Sequence, residues 1–539
     1  MPGVPLNGAY DITIVGSGFA GSLLAMIARR AGRSVLMLEK ETHPRFAIGE
    51  SSTPLANVLL DELSVRYDLP RLRPLTKWGT WQQTYPQLAC GLKRGFTFHH
   101  HMLGTPPSPD PERRDQLLVA ASPHNEIGDT HWYRADFDHF LVREAEKLGV
   151  DFFDRVSLDR FEEEEDGVKL GGTRNGGAVE FRAQFVVDAT GPRGFLHRVL
   201  GLSELALPGY PSTQSLYSHF SGVGRLGETQ FSRTDELPPY PIDDAAVHHV
   251  FDGGWIWVLK FNNGMTSAGV AAMDEVASHL RLTDGAHAWQ RLLAQIPALQ
   301  SQFAGAKTER PFVHMQRLPF RSSAIVGRRW ALLPSAAGFV DPLLSTGFPL
   351  TLLGVSRIAE AIEHEWGSSC FGERLAAYAA LTDRELVATA RLIAALYANM
   401  NNFDVFVALA LLYFAAASFS EAARRLGKPQ LASSFLLCDD SAFGPACVRL
   451  CARASRPLDR QESKELINDI LRTIEPFNVA GLGKPKRRNW YPVIADDLAD
   501  SAGKLGASRD EILTLLRRCG FELECAVDPI QNAPLLRSV

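Results

Sequence analysis

Short apolar runs separated by turns dominate the first 60 residues. Residues 10–15 and 34–39 are short, largely apolar runs, and Ser22–Ala31 between them has the composition of a helix. Strands that are covered on both faces of a parallel sheet have this continuous apolar pattern. The chain therefore begins with a predicted strand–helix–strand unit, which is typical of a doubly wound α/β fold.

The same two periodicities recur further along the chain. A helix is predicted over Asp136–Leu148, where apolar residues recur at helical spacing and Gly149 ends the pattern. Strands are predicted at 150–153, 168–170 and 179–185. From about residue 200 to 330 the sequence is strand-like and rich in turns, and from about 355 onward it is mostly helical.

These changes of pattern divide the chain into three predicted regions. They are a discontinuous domain of residues 1–200 and 310–360 with 61–130 as a loop-rich insertion, a β-rich substrate-side domain of 201–309, and a mostly helical domain of 361–539. Within the insertion, the run His99–His101 suggests a metal at first sight. Successive side chains of an extended run point to opposite faces, so a polar strand end is the better interpretation.

One apolar stretch, residues 405–419, raises the question of a membrane. It is shorter than the roughly 20 residues that a span requires, and Asp404 and Glu421 bracket it. We expect a buried helix. Docking on a membrane surface and the lining of an apolar substrate site remain open.

Composition excludes several classes of protein. The chain has 539 residues, 45% of them hydrophobic, which is enough for two or three domains. A net charge of -5 argues against a nucleic-acid binder. Seven scattered cysteines, with Cys447 and Cys451 predicted on one helix face, indicate reduced thiols. With no targeting segment in the first ten residues, we expect a cytoplasmic enzyme without a transmembrane segment.

The first strand runs directly into a glycine-rich turn. Gly16 permits a tight turn, Gly18 lets backbone approach a pyrophosphate, and Gly21 lets the helix lie close to the strand. A phosphate is then held at the helix N-terminus. Glu39, at the end of the second strand, is placed to accept hydrogen bonds from ribose hydroxyls. Strand, turn, helix and acidic residue together predict a dinucleotide site.

Two later segments repeat the arrangement of a strand followed by a turn of small residues. They are Phe185–Gly191 and Trp330–Asp341, the second continuing to Ser345-Thr346-Gly347. Small residues at such turns allow close approach to a cofactor. Each segment alone is weak evidence, but their order along the chain is specific.

In this order the segments resemble the FAD-dependent monooxygenase-like superfamily, and within it the flavin-dependent halogenases, over about residues 8–360. Gly49–Pro54 is similar to the halogenase Gly-Glu-Ser-x-x-Pro segment, and Leu92–Phe98 to the segment that carries its essential lysine. Gly254–Trp257 resembles the W-x-W pair. The signature F-x-x-P-x-x-S-x-G is matched by Phe339, Pro342, Ser345 and Gly347.

The resemblance implies an FAD-binding, Rossmann-type doubly wound domain with an inserted β-rich substrate domain and a helical C-terminal region. It implies no metal. The cofactor-binding residues expected from it are Gly16, Gly18, Phe19, Ala20, Gly21, Glu39, Lys40, Ile48, Ser51, Arg134, Asp188, Ala189, Gly191, Ser335, Asp341 and Gly347.

The resemblance also implies a reaction. Reduced FAD and oxygen give a hydroperoxide, chloride or bromide attacks it, and the hypohalous acid reaches the substrate along a closed path. Lys93 is the expected lysine on that path, with Lys77 in reserve and Glu50 as a second polar group. Backbone N–H groups of Thr346 and Gly347 are expected to hold the halide. A separate reductase using NAD(P)H would supply reduced flavin, because no second nucleotide motif is present.

Departures from the family pattern leave alternatives open. Leu259-Lys260 replaces Ile-Pro after the W-x-W pair, and Pro334-Ser335 replaces Gly-Asp. Leu344 stands where tryptophan halogenases have glutamate, which disfavours free tryptophan as substrate. A phenol or a pyrrole, free or tethered to a carrier protein, is expected instead. A monooxygenase or dehydrogenase on an apolar substrate and a non-catalytic flavoprotein are the competing hypotheses. The basic cluster Lys484–Trp490 is expected to be a solvated loop, with an acidic carrier, a phosphate or a membrane as alternatives.

Overall fold

The computed structural model describes residues 9–106, 110–228 and 236–522. The first eight residues, on which the expectation about a targeting segment mainly rests, lie outside this part. The strands are β1 Tyr10–Val15, β2 Val35–Leu38, β3 Cys90–Lys93, β4 Gly95–His100, β5 Gln116–Ala120, β6 Asp129–Trp132, β7 Asp151–Phe153, β8 Val156–Glu163, β9 Val168–Arg174, β10 Gly177–Asp188, β11 Thr213–Ser221, β12 Ala246–Phe251, β13 Gly254–Lys260, β14 Met265–Met273, β15 Lys307–Thr308, β16 Val313–Met315, β17 Phe320–Arg321, β18 Trp330–Leu332, β19 Gly338–Phe339 and β20 Trp490–Tyr491.

The described residues also form sixteen α-helices. They are α1 Phe19–Arg30, α2 Pro54–Arg66, α3 Trp78–Thr84, α4 Arg134–Lys147, α5 Phe195–Val199, α6 Asp274–Leu280, α7 Ala286–Leu293, α8 Pro297–Gln302, α9 Pro334–Ala337, α10 Gly347–His364, α11 Cys370–Tyr397, α12 Phe403–Arg425, α13 Phe443–Ala454, α14 Arg460–Ile474, α15 Ala495–Asp500 and α16 Arg509–Cys519.

The first sheet has seven strands in the order β7-β2-β1-β10-β9-β8, with β18 also paired to β10. The pairs among β7, β2, β1, β10 and β18 are parallel, whereas β8, β9 and β10 form an antiparallel meander. Helices α1, α4 and α10 pack together beside the parallel part. Buried parallel strands with helical crossovers form the doubly wound architecture that the apolar blocks predict.

The second sheet has nine strands, in the order β15-β11-β14-β13-β12-β4-β5-β20 with β16 paired to β11. Side chains of β11–β14 form a separate core with Trp289, Leu292 and Leu299 of α7 and α8. Strands β4 and β5 come from the predicted loop-rich insertion, which also contains α3 and β3. The insertion contains more strand than its loop-rich pattern indicates, because short strands gain stability from partners that are distant in sequence. The strand end expected at His99–His101 coincides with the end of β4.

The helices from α10 to α14 build the C-terminal part. The apolar stretch lies within α12, a helix of 23 residues with a mean hydropathy of 1.9 in its most apolar window. Length and composition alone would allow it to cross a membrane, but 83% of that window is buried inside the protein. Helices α2, α11 and α14 pack around it. The apolar side chains of α12 are therefore core residues, as the sequence predicts.

Candidate functional site

The turn after β1 requires glycine at two positions. Gly16 has a φ of +101°, and a Cβ there would lie 2.7 Å from the carbonyl carbon of Ala189. A Cβ on Gly21 would lie 2.1 Å from the carbonyl oxygen of Gly16. Gly18 is less restricted, since the atom nearest to its Cβ would be 3.4 Å away on the Arg134 side chain. Gly16 and Gly21 thus hold β1, β10 and α1 in close contact.

A cavity of about 370 Å³ opens where β1 and β10 end and α1 and α10 begin. The predicted residues that line it are Gly18, Phe19, Ala20, Ile48, Glu50, Ser51, Arg134, Ala189, Gly191, Ser335, Asp341, Thr346 and Gly347. Segments far apart in the sequence therefore meet at the carboxyl edge of the parallel strands, which is where ligands bind in such sheets. Trp255 and Trp257 of β13 line the same cavity.

Glu39 lies at the end of β2 but already has partners. Its carboxylate accepts hydrogen bonds from Ser17 N at 3.1 Å and Ser17 Oγ at 2.8 Å, and it pairs with Arg45 at 3.2 Å. Burial opposes ionisation of Glu39, yet Arg45 and the N–H groups of Glu41 and Ser17 outweigh it and lower the pKa. Lys40 is exposed and lines no part of the cavity. Sequence reasoning missed Arg45.

Asp188 is buried at the end of β10 and is not among the residues that line the cavity. Its Oδ1 accepts hydrogen bonds from Thr190 N at 2.8 Å and from Thr190 Oγ1, and its Oδ2 accepts from Leu196 N at 2.6 Å. The carboxylate therefore shapes the turn between β10 and α5. Ala189 and Gly191, next to it, provide the cavity wall.

Arg134, the first residue of α4, fixes the loop before α2. Its guanidinium donates two hydrogen bonds to the Asp138 carboxylate, at 2.8 and 2.7 Å, and one to the carbonyl oxygen of Gly49 at 2.9 Å. It also lies 5.2 Å from the centre of the Phe19 ring. A bidentate pair of this kind is rigid, so the loop carrying Ile48 is held against the cavity.

Asp341 joins three parts of the chain at the cavity wall. Its carboxylate accepts hydrogen bonds from Tyr210 and Tyr397 at 2.9 Å each and from Trp255 Nε1 at 3.2 Å. Burial raises the pKa of Asp341 to about 6, although these donors and the Leu343 N–H oppose the shift. The first tryptophan of the W-x-W pair is thereby fixed by the segment Trp330–Asp341.

The chain takes an unusual path just before α10. Leu344 and Ser345 both have positive φ, 63° and 55°, a region that non-glycine residues rarely occupy. Helix α10 then begins at Gly347 with Thr346 as its N-cap. Backbone N–H groups at a helix start lack intrahelical partners, and successive N–H groups in a left-handed turn form an anion-binding nest. This segment borders the cavity.

Lys93 is 0% exposed, although it carries an amine. Its Nζ donates hydrogen bonds to Ser51 Oγ at 2.8 Å and to the Ser52 carbonyl oxygen at 2.5 Å, and lies 3.8 Å from the centre of the Phe96 ring. Burial lowers the pKa of Lys93 to about 7, and only the charge of Asp129 opposes this.

Asp129 is the partner that sequence reasoning missed. It lies directly opposite Lys93 in the antiparallel pair of β6 and β3, so both side chains project to the same face. Asn57 Nδ2 donates to Asp129 Oδ1 at 2.7 Å. Burial, followed by the charge of Glu421, raises the pKa of Asp129 to about 7. No local sequence motif identifies Asp129, because it lies beside Lys93 only through the register of the two strands.

Glu50 lines the cavity and is almost fully buried. Its Oε1 lies 2.8 Å from Nε2 of His219 on β11, and its Oε2 has no hydrogen-bond partner in the described residues. His219 was not among the predicted site residues. An unpaired buried carboxylate oxygen is costly, so this side of the cavity is prepared for a donor.

A second cavity, of about 150 Å³, lies between β4, β5 and α12. Phe96 and Thr53 belong to its wall, whereas Ser51 belongs to the wall of the first cavity. Lys93 therefore contacts a wall residue of each. Lys77 lines the second cavity and donates to the carbonyl oxygen of Cys519 at 3.1 Å, so it lies apart from the first cavity.

Two other groups predicted from the sequence have structural partners. His101 Nε2 lies 2.9 Å from His249 Nδ1, and the described residues contain no cluster of side chains suited to a metal ion. In the basic cluster, Arg487 pairs with Asp497 at 2.9 Å.

Lys260, one of the departures from the family pattern, donates to the Val223 carbonyl oxygen at 2.7 Å. It therefore ties β13 to a neighbouring loop.

These features fit FAD. The close contacts of Gly16 and Gly21 leave the backbone free to approach a pyrophosphate, and the N-termini of α1 and α10 both border one cavity, where they favour negative charge. Such a combination defines a dinucleotide-binding flavoprotein.

Comparison with known proteins agrees. Residues 11–333 match the family described as FAD dependent oxidoreductase, and the chain belongs to this family. It is 33% identical to tetracycline 7-halogenase of Kitasatospora aureofaciens over 352 residues, which cover 64% of this chain and 61% of that protein. Identity with monodechloroaminopyrrolnitrin halogenase PrnC of Pseudomonas fluorescens is 30% over 356 residues, 65% of this chain and 61% of that one. Less than two thirds of either relative is thus matched.

Among solved structures, halogenase PltM in complex with phloroglucinol and FAD has the same fold. The TM-score is 0.76 at 24% identity, covering 89% of this chain and 99% of that chain. The predicted fold class is therefore confirmed, as are the resemblance to the halogenases and FAD as the cofactor.

Proposed function

We propose that this protein is a reduced-flavin-dependent halogenase that delivers hypohalous acid to an electron-rich aromatic substrate. The observation that carries the proposal is the position of Lys93, whose amine contacts Ser51 in the wall of the cofactor cavity and Phe96 in the wall of the second cavity. An oxidant made in one cavity and used in the other must pass this amine.

The residues of the first cavity hold the cofactor and the halide. The turn of Gly16 and Gly21 receives the pyrophosphate, and the N–H groups of Thr346 and Gly347 receive chloride or bromide. When bound and reduced, FAD supplies the electrons that activate oxygen toward the halide. Trp255 and Trp257, held on β13, line the first cavity and leave less room there for an aromatic substrate.

Lys93 acts on the hypohalous acid. Its ammonium form donates a hydrogen bond to the acid and later a proton to the oxygen that leaves as water. Ser51 Oγ and the Ser52 carbonyl oxygen fix the direction of the amine. Because the side chain is fully buried, water is excluded from the path and the reactive acid is not lost to solvent.

The second cavity is the proposed substrate site. Its wall is mainly apolar and aromatic, with Phe96, Tyr413 and Phe414 among the lining residues. Such surfaces favour flat aromatic ligands. Reduced flavin would come from a separate reductase that uses NAD(P)H. A monooxygenase or dehydrogenase is the alternative that the test below separates.

The test uses the purified protein with FAD, a flavin reductase, NADH, oxygen and bromide. Products from a panel of phenols, indoles and pyrroles are analysed by mass spectrometry. We expect bromine isotope doublets with the wild type, and at least about a 100-fold lower rate with Lys93→Met, as is typical for loss of an acid–base group. Lys464→Met, a change at an exposed lysine of α14, serves as the control and should retain the rate. Hydroxylated or dehydrogenated products without bromine would overturn the proposal.

A further inference from the structure

Four oxidisable aromatic side chains form a row that leads away from the first cavity. Trp257 and Trp255 line the cavity, and their ring centres are 5.7 Å apart. Trp255 Nε1 lies 3.2 Å from the hydroxyl oxygen of Tyr397. The ring centre of Tyr397 lies 6.0 Å from that of Tyr210. Successive members of the row are therefore in direct contact or close enough to interact.

The two ends of this row differ in their surroundings. Trp257 and Trp255 belong to the cavity wall and are buried, as is Tyr397. Tyr210 is only half-buried, and the turn at residues 208–209 that precedes it is exposed. The row therefore begins at the cofactor cavity and ends next to solvent.

The two tyrosines share a proton acceptor. The Asp341 carboxylate accepts a hydrogen bond from each hydroxyl at 2.9 Å, a distance at which a proton can be transferred directly. Burial raises the pKa of Asp341 to about 6, so near neutral pH the group is ionised and takes up a proton at little cost. Burial, followed by the charge of Asp341, raises the pKa of both tyrosines. Both hydroxyls therefore hold their protons until a ring is oxidised, when the phenolic proton becomes strongly acidic.

We infer that an oxidising equivalent leaves the cofactor cavity along these four side chains, which we call the exit path, and reaches solvent at Tyr210. Tryptophan and tyrosine are oxidised more easily than most side chains, but they are too weak as reductants to reduce FAD in the dark. The exit path therefore removes an oxidant from the cavity and does not replace the reductase. Protection against an oxidant that has met no substrate rests on the proposed function, whereas the path itself requires only bound FAD.

The electrons and protons balance at each step. An oxidant in the cavity takes one electron from a tryptophan ring, which regains it from Tyr397, and the Tyr397 proton passes to Asp341. Tyr210 then gives an electron to Tyr397, while Asp341 returns the first proton and takes the proton of Tyr210. Ascorbate in solution supplies an electron to Tyr210, and Asp341 returns its proton. In the proposed function, two such rounds and one proton from solution convert hypohalous acid to halide and water.

The exit path is tested at saturating FAD, without halide or substrate. FAD excited by blue light takes one electron from the path, and ferricyanide then removes that electron from the cofactor, so that a radical remains on the protein. We expect a tyrosyl radical, identified by electron paramagnetic resonance because deuterated tyrosine changes its spectrum. Tyr397→Phe and Asp341→Asn should lower its yield at least about tenfold, since one lacks the hydroxyl and the other the base.

Tyr378→Phe is the matched control for this experiment. Tyr378 is another buried tyrosine of α11, but its hydroxyl donates to the Leu332 carbonyl oxygen and not to a carboxylate. The radical yield of Tyr378→Phe should equal that of the wild type. Equal yields in Tyr397→Phe and Tyr378→Phe would overturn the inference.

The outer end of the path is tested by the rate at which ascorbate removes the radical. Tyr210→Phe confines the radical to Tyr397, which is only 3% exposed. We therefore expect slower removal by ascorbate than in the wild type or in Tyr378→Phe. An unchanged rate would exclude Tyr210 as the exit.

Turnover without an aromatic substrate separates this inference from the proposed function. The protein is incubated with FAD, flavin reductase, NADH, oxygen and bromide, and oxidation of Trp255 and Trp257 is followed by peptide mass spectrometry. We expect more oxidised tryptophan in Tyr397→Phe than in Tyr378→Phe. Equal oxidation in the two variants, when the wild type brominates the hypohalous acid trap monochlorodimedone, would overturn the protective role. If the trap is not brominated, the proposed function fails, and the light experiment still decides whether the exit path exists.

Discussion

At the scale of single residues, the charge on Lys93 is set by its surroundings. Burial favours the neutral amine, and Asp129, opposite it in the strand pair, favours the ammonium ion. The other titratable or charged groups that interact with this pair are His131 on β6, His248 on β12, Tyr413, Glu421 and Arg425 on α12. Burial lowers the pKa of both histidines to about 3, so they are neutral near pH 7.

A pH dependence follows from this balance. The pKa of Lys93 is lowered to about 7, so the proton-donating ammonium form prevails below pH 7 and disappears above it. We expect the rate of bromination to fall as pH rises through about 7. Asp129→Asn removes the charge that favours the ammonium ion and should shift this fall to lower pH by about one unit. The measurement is kcat against pH, with Asp159→Asn on exposed β8 as the control. An unshifted profile in Asp129→Asn would exclude the coupling.

The glycine turn gives a second prediction at this scale. Gly21→Ala places a Cβ 2.1 Å from the carbonyl oxygen of Gly16, so the turn must open and the phosphate site is lost. We expect at least a tenfold weaker affinity for FAD, measured by quenching of flavin fluorescence. Gly372→Ala in α11 meets no atom within 4 Å and should bind FAD as the wild type does. Equal affinities for FAD in both variants would contradict the assignment of this turn as the pyrophosphate site.

At the scale of elements, Asp341 connects β13, α11 and the loop that carries Tyr210. Asp341→Ala removes the acceptor of the Tyr210 and Tyr397 hydroxyls and of the Leu343 N–H, while Trp255 Nε1 keeps the Tyr397 hydroxyl at 3.2 Å. Each buried donor left unpaired costs about 1–3 kcal/mol. We expect urea unfolding, measured at saturating FAD, to show a loss of at least about 2 kcal/mol. Asp341→Asn keeps one acceptor oxygen and should lose less, and a loss as small as that of Asp404→Ala would show that the three elements are independent.

The sequence predicts elements where the cause is local. Periodic apolar residues locate α4 within two residues at its start, and the apolar block Trp330–Leu332 becomes β18. Within the insertion only the strand end at His99–His101 is predicted from the sequence, and the rest of β4 and all of β5 are not, since their main partners are each other and β12, far along the chain. Short segments with mixed composition take the structure that their neighbours impose.

The residues of the candidate site also fall into those with a local cause, which a motif reveals, and those whose role depends on distant partners. Gly16, Gly18 and Gly21 act through their own backbone, so a motif is enough to find them. Arg45, Asp129 and His219 act through partners that only the folded chain supplies, and no pattern around them marks their role. Asp188 has the expected position and a different task, because a motif gives the location of a carboxylate and not the direction of its side chain.

At the scale of the whole molecule, two sheets and a helical region surround two cavities. The doubly wound sheet and the start of α10 form the first, and the second sheet meets α12 at the second. The family match ends at residue 333, before α10 and the C-terminal helices begin. The part of the chain that the family shares therefore carries most of the cofactor cavity, while α12 and α16 contribute much of the second.

The burial of Lys93 between the two cavities bears on how the substrate preference of such a protein can evolve. The amine of Lys93 is fully buried and contacts one wall residue of each cavity, so in the proposed function only a small oxidant would need to pass it. A different helical region could therefore change the shape of the proposed substrate site and leave the first cavity, where the oxidant would form, unchanged. In the proposed function, the selectivity for the substrate would then reside mainly in helices such as α12 and α16, which border the second cavity.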